Sequence, residues 1–360
     1  MKLARLLRII GIIACAVVLL GLLALAWLWN RVEASLAPLE GEFQITTMSA
    51  PAEIGRDDHG VVVITAANRM DAARALGFAH GQDRFFQMDL SRRRAAGELS
   101  VLVGDAALGL DRATVGHRFR SLATLAIEAL PEAQRAELSA YTEGVNAGLQ
   151  SLPKSPWEYA ILRTEPTLWA IEDCGLVFYA MVLELQNSTG SYERDQAALR
   201  DVMAEVSVDF FNPLIGPDDS AFDGSTQPLR APPSSAILDL RPAETLPTLS
   251  SRGAPESPTI GSNAFLLAGE DTAHGAGLVA GDPHLGLKVP NTWYRAQLNW
   301  AQSDGTPHRG DGVSLPGVPG IIIGTNGHIA WTFTNATVDT GDLVMVDLNQ
   351  VAPEIFYYKE

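Results

Sequence analysis

The chain has 360 residues, 26 Lys+Arg against 42 Asp+Glu, a formal net charge of −16 and two cysteines. That acidic surplus excludes a nucleic-acid binder, whose phosphate contacts need clustered cations, and two cysteines exclude a disulfide scaffold or a Cys-rich zinc module. A hydrophobic fraction of 47% excludes a disordered chain, and the length suits two or so domains of about 150 residues each.

From Ile9 to Trp29 no residue is charged, a run of 21 positions against the roughly 20 that a helix needs to cross a bilayer. Lys2, Arg5 and Arg8 precede it, which keeps the N-terminus cytoplasmic and sends the rest outward; Trp27 and Trp29 fall where an interfacial aromatic belt lies. Two readings fit: an uncleaved anchor, or a signal peptide cut near Ala24-Leu25-Ala26. The basic flank argues against a buried core helix.

Residues 42–48 and Val61–Ala66 read as short strands, the second led in by Asp57-Asp58-His59-Gly60. From Met70 to Leu149 the apolar spacing turns helical, through Ala73, Leu76, Ala79, Phe85 and Met88; Pro131 opens a further helix with Glu132 in its first turn. Helices follow over 171–185 and 193–203. Between Phe222 and Gly261, Pro, Ser and Thr become frequent, which is spacer composition. Strands then read at 264–268, 278–280, 293–300, 320–323, 329–333 and 343–346, separated by Gly and Asp/Asn turns. Helices first and strands after make an α+β protein.

The junction Gly261-Ser262-Asn263-Ala264-Phe265 is followed by Gly281-Asp282-Pro283-His284, Leu315-Pro316-Gly317-Val318-Pro319-Gly320 and Gly324-Thr325-Asn326-Gly327-His328-Ile329-Ala330-Trp331. Upstream stand Gly77-Phe78-Ala79-His80-Gly81-Gln82-Asp83-Arg84 with Gln87-Met88, Arg92-Arg93, and Tyr141-Thr142-Glu143-Gly144-Val145-Asn146. Together, in this order, these motifs resemble the penicillin acylase family of N-terminal-nucleophile hydrolases, over about residues 40–357. The resemblance implies an αββα sandwich with a helical α portion wrapped against it. It also implies a precursor cut between Gly261 and Ser262 into an α/β heterodimer. The parts it implies are 1–30 anchor or signal, 31–230 α segment, 231–261 spacer and 262–360 the start of a β subunit.

The chemistry follows from residue type. A serine hydroxyl is a weak nucleophile without a base. Freed as an N-terminus, Ser262 would supply its own α-amino group, whose ordinary pKa of about 7.7–8.0 leaves much of it neutral near working pH. Gly261, lacking Cβ, permits strained backbone and leaves its carbonyl open to attack by the Ser262 hydroxyl.

By the same resemblance His284, 22 residues on, holds the serine through its backbone, and the Asn335 backbone N–H forms half of an oxyanion hole. A histidine at 284 is more similar to the cephalosporin and acyl-homoserine-lactone acylases than to the penicillin G enzymes, and Gln186-Asn187 stands where the latter carry Arg-Phe. Glu193, Asp339, Gly341 and Asp342 fall where the family holds a structural Ca²⁺, a hard cation suited to carboxylate and carbonyl oxygens. The family's second oxyanion Asn, and an Arg near it, lie farther downstream than Glu360, so the resemblance implies a truncated β subunit.

The expected partner is a small N-acyl amide, its acyl and amine parts open among β-lactams, acyl-homoserine lactones and other acyl amides. No Gly-x-Ser-x-Gly elbow occurs, and the seven histidines form no His-Glu-x-x-His, so neither an α/β-hydrolase nor a metal hydrolase is read. The alternative from another class is a membrane-anchored, non-catalytic binding protein keeping the acylase fold.

Overall fold

Apolar residues in two periods build the layers seen in a computed structural model of the protein. The structure describes residues 2–186, 190–212, 225, 230–239, 261–302, 304–335, 342–344, 347–348 and 356–357. Two compact units result: residues 1–184 with 260–335, and 185–259 with 336–360.

The N-terminal apolar run is helical over Lys2–Ala34 (α1). Within Leu7–Ala34 an 18-residue window has a mean hydropathy of 3.0, none of it buried, and the helix is long and apolar enough to cross a membrane. The strand expected over 42–48 does not form. Phe43 instead lays its ring 5.1 Å from that of Phe78, an isolated anchor on a helix rather than a ladder position. The first strand is the unanticipated Glu53–Arg56 (β1), antiparallel to Val62–Thr65 (β2).

Helix α2 spans Arg69–Ala96. Asn68 caps its start, the side chain accepting from the Asp71 N–H at 2.9 Å. Gly97 ends it at φ 71°, and the Glu98 N–H donates to the Arg93 carbonyl at 2.8 Å, a Schellman closure that only a residue tolerant of positive φ makes cheaply. The long helical pattern of the sequence is thus divided, continuing as α3 (Leu108–Val115), α4 (Phe119–Ala129) and α5 (Glu132–Ser151), followed by α6 (Ile171–Leu185) and α7 (Ser191–Val202).

Four glycines bring α2 and α5 into backbone contact. A Cβ on Gly77 would lie 2.2 Å from the Tyr141 carbonyl oxygen, and one on Gly81 2.2 Å from that of Val145. Reciprocally, a Cβ on Gly144 would lie 1.9 Å from the Arg74 oxygen and one on Gly148 2.1 Å from that of Phe78. Gly77/Gly81 and Gly144/Gly148 are each four residues apart, so each pair shares a helix face and the two faces interlock.

Strands β5 (Tyr294–Ala301), β6 (Pro307–Ser314), β7 (Ile323–Thr325) and β8 (Ala330–Trp331) join the first two in one sheet, ordered β1-β2-β5-β6-β7-β8; β2 pairs with β5 in parallel and the other neighbours are antiparallel. Val62 and Ile64 of β2, and Tyr294, Ala296 and Leu298 of β5, are buried at alternate positions and pack in one core with Leu76, Phe85 and Met88 of α2 and Tyr141 and Val145 of α5. Each fully buried Val, Ile, Leu, Phe or Met among them contributes about 1.5–3 kcal/mol. Strand β6 carried no sequence signal. Its Gly312 sits where a Cβ would be 2.0 Å from the Ile323 oxygen, so the close approach of β7 selects glycine over a strand former.

Charged residues of α2 are buried but paired. Asp89 accepts from Arg92 Nε at 2.7 Å, Arg93 Nε at 2.9 Å and the Tyr159 hydroxyl at 2.7 Å. Arg92 also reaches Asp173 and the carbonyls of Leu168 and Thr167. Every charge in this cluster therefore has partners, which a buried ion needs.

Candidate active site

The strand read after the spacer begins at Ser262. Strand β3 (Ser262–Leu267) runs antiparallel to β4 (Leu278–Pro283), with Ser262 opposite Pro283, Asn263 opposite Asp282 and Ala264 opposite Gly281. Extending that register by one step sets His284 across from Gly261. A separation of 22 residues in sequence therefore becomes an adjacency in space.

The His284 backbone nitrogen stands 3.4 Å from Ser262 Oγ, a long N–H donation to the hydroxyl oxygen. The imidazole turns the other way along the junction: a Cβ on Gly261 would meet its Nδ1 at 3.4 Å. Its Nε2 lies 3.0 Å from Asp282 Oδ2. A carboxylate only accepts, so Nε2 carries the hydrogen of this contact while Nδ1 lies on the Gly261 side. Asp282, which the sequence offered only as part of a motif, thus orients the His284 ring.

Gly261 lies outside the left-handed region.

Thr332, beyond β8, is lodged against β4: a Cβ on Gly281 would be 2.0 Å from Thr332 Oγ1, a buried oxygen without a hydrogen-bond partner among the described residues. Asn335, three residues farther, is partly buried. Gly261, Ser262, Asp282 and His284 are thus brought together.

The residues read as calcium ligands belong to the second unit. Gly190 turns there at φ 58°, and a Cβ on it would be 3.6 Å from Glu193 Oε2 and 3.1 Å from the Leu343 side chain. Glu193 and the segment of the exposed Asp342 therefore meet at one turn. Asp339, Gly341, Asn187 and most of the spacer, 240–260, lie outside the described residues. The strand read over 343–346 is no strand at its described positions; a short ladder pairs 347–348 with 356–357 instead.

The sequence model of the penicillin amidase family matches residues 51–360. The chain belongs to that family. It is 31% identical over 329 residues to the penicillin acylase 2 proenzyme of Pseudomonas sp. strain SE83, covering 88% of this chain and 40% of that protein. It is 29% identical over 342 residues to the acyl-homoserine lactone acylase QuiP of Pseudomonas aeruginosa, covering 92% of this chain and 38% of that protein. Among solved structures, the thermostable penicillin G acylase from Alcaligenes faecalis matches at 23% identity and a TM-score of 0.39, over 51% of this chain and 98% of that one. The chain thus spans about 40% of the length of the curated relatives it matches.

Proposed function

We propose that the protein carrying this chain hydrolyses the linear amide bond of an N-acyl substrate through an ester on Ser262, after cutting its own Gly261–Ser262 bond. In the first cut the Ser262 hydroxyl attacks the Gly261 carbonyl carbon. The C–N bond breaks as the C–O bond forms, and the hydroxyl proton ends on the departing nitrogen. Water then hydrolyses the ester, leaving Gly261 a carboxylate and Ser262 an N-terminal residue with its hydroxyl and α-amine restored. In turnover the free α-amine takes the hydroxyl proton while Ser262 attacks the substrate carbonyl, and the Asn335 backbone N–H donates to the oxyanion.

One observation carries this reading: the hairpin register that sets His284, oriented by Asp282, against the Gly261–Ser262 junction. The names of relatives that act on penicillin and on acyl-homoserine lactones support an acyl amide substrate for this chain. The expected fold of the whole is the αββα sandwich, held as an α/β heterodimer. A structural Ca²⁺ would be held by the carboxylates of Glu193, Asp339 and Asp342 with the Gly341 carbonyl, where it would fix the turn at Gly190 rather than act on substrate. The apolar α1 supports export, as anchor or signal, with the remainder on the extracytoplasmic side.

The test is expression of the full-length protein with Ser262→Ala. The wild type resolves as two chains on a denaturing gel and the variant as one. Two identical chains from both would overturn the proposal, and one uncut chain from both would favour the non-catalytic binding protein.

A further inference from the structure

A cleft of about 1260 Å³ opens at the C-terminal end of α1, wholly within the first compact unit, with Ser35, Leu36 and Ala37 in its wall. Ligand sites of about 300–1,000 Å³ are the rule, so a headgroup-sized molecule has room here. Neither Ser262 nor His284 lines the cleft, which is therefore separate from the scissile junction.

Its charge runs against that of the chain. The chain has 42 Asp+Glu against 26 Lys+Arg, yet the cleft is lined by Arg56, Arg84, Lys288 and Arg295 against Asp83 and Glu158. Arg56 is held by Asp83 at 2.7 Å and Lys288 by Glu184 at 2.6 Å. Arg84 donates to the Gln87 side-chain oxygen at 2.9 Å and the Asn291 carbonyl at 2.7 Å. Among the described residues, neither Arg84 nor Arg295 has a carboxylate within ion-pair distance, and Glu158 has no cation. Burial lowers the Arg84 pKa and raises that of Glu158, as it does for charges held partly out of water.

Helix α1 sets the level of this cleft against a bilayer. The uncharged run Ile9–Trp29 covers about 32 Å at 1.5 Å per residue, matching a hydrocarbon core of about 30 Å. The helix continues to Ala34, about 8 Å farther, which is the depth of one headgroup layer. Arg31 lies over the Trp27 ring at 5.9 Å, an amphipathic pair suited to that layer. Ser35–Ala37 thus stand at the outer edge of the headgroups. Leu36 is exposed there, as are Trp157 and Ile161, four apart on the short helix Trp157–Leu162 that runs beside α1.

We propose that this cleft binds the headgroup of a membrane phospholipid, with the phosphate on Arg84 and Arg295 and a primary ammonium on Glu158. Guanidinium N–H groups match phosphate oxygens, and a carboxylate accepts hydrogen bonds from –NH₃⁺ that a quaternary ammonium does not offer. The ligand is thus of the phosphatidylethanolamine type. Bound so, it seats the first unit against the bilayer. The proposal rests on the reading of α1 as a retained anchor.

The test places the full-length protein in nanodiscs of equal parts phosphatidylethanolamine, phosphatidylglycerol and phosphatidylcholine. After transfer to detergent, native mass spectrometry identifies the lipids that stay bound. Phosphatidylethanolamine should be enriched over the other two. Arg84→Gln with Arg295→Gln should lower retained lipid about tenfold or more, and Glu158→Gln should keep lipid but lose the preference. If the pair does not fold, Arg295→Gln alone, at an exposed position, supplies the comparison. Lipids held in their bulk proportions, or an arginine variant within about twofold of the wild-type amount, would overturn the proposal. So would full displacement by equimolar inorganic phosphate, which would make this a free-anion site. The intact mass reads α1 separately. A protein lacking α1 removes the anchor and this proposal together, whereas an intact one with unselected lipids removes this proposal alone.

Discussion

The backbone nitrogen of His284 stands 3.4 Å from Oγ of Ser262 because the two residues sit at matched ends of one hairpin. The same register turns the His284 imidazole toward Gly261, with Asp282 at 3.0 Å behind it. Asp282→Asn keeps the shape but replaces the acceptor of the Nε2 hydrogen with a group that can also donate. In the full-length protein, scission should slow about tenfold or more, with a shifted pH–rate profile. Pulse-chase electrophoresis measures it, and an unchanged rate would remove Asp282 from the account.

The glycine contacts between α2 and α5 set a stability contrast. Gly144→Ala places a methyl 1.9 Å from the Arg74 carbonyl oxygen, backbone that cannot rotate away. A loss of about 3 kcal/mol is expected in denaturant unfolding. Gly109→Ala, with nothing within 4 Å of its Cβ, should be neutral or stabilising by up to about 1 kcal/mol.

Removing one charge from the buried cluster should be severe. Asp89 is fully buried with two guanidinium partners, so Asp89→Asn leaves Arg93 without a carboxylate while Arg92 keeps Asp173, and it should destabilise by about 3–5 kcal/mol. Tyr159→Phe takes away only one of the three donors and should have a smaller effect, about 1–3 kcal/mol. Equal effects would mean that the cluster acts through packing rather than charge.

His80 gives the protein an acid sensitivity. Its folded pKa of about 3 lies below the unfolded value of about 6.5, so below pH 6.5 the unfolded chain binds the extra proton and stability falls until about pH 3. The slope approaches about 1.4 kcal/mol per pH unit from this one buried ring. His80→Gln should flatten the stability curve between about pH 6.5 and 5 relative to wild type, measured by denaturant unfolding at each pH.

Calcium is tested through the fold. If Glu193 and Asp342 hold Ca²⁺ beside Gly190, chelation should lower the thermal midpoint of the wild type and leave that of Glu193→Gln unmoved. A midpoint indifferent to chelation in both removes the metal.

Much of this was legible in the sequence where a segment's neighbours are its own residues. Helix α6 matches its expected 171–185 span, with Glu172 and Asp173 in the first turn of an apolar run. The serine junction and the histidine after it were legible through the family motifs. What was not legible depends on register or on close approach. Strand β6 carries Gly310 and Gly312 where sequence patterning looks for Val or Ile, and the 42–48 segment spends Phe43 on a helix instead of a ladder. Asp282 becomes the partner of His284 only after the chain has folded, and the four glycines between α2 and α5 read as weak helix positions until both helices are seen together.

The central claim is that Ser262 becomes an N-terminal nucleophile, and intact-mass and peptide mass spectrometry of the purified full-length protein tests it most directly. The account predicts a chain whose first residue is Ser262 and a second chain ending at or upstream of Gly261. A peptide that still runs through Ile260-Gly261-Ser262-Asn263 in the active protein would contradict it.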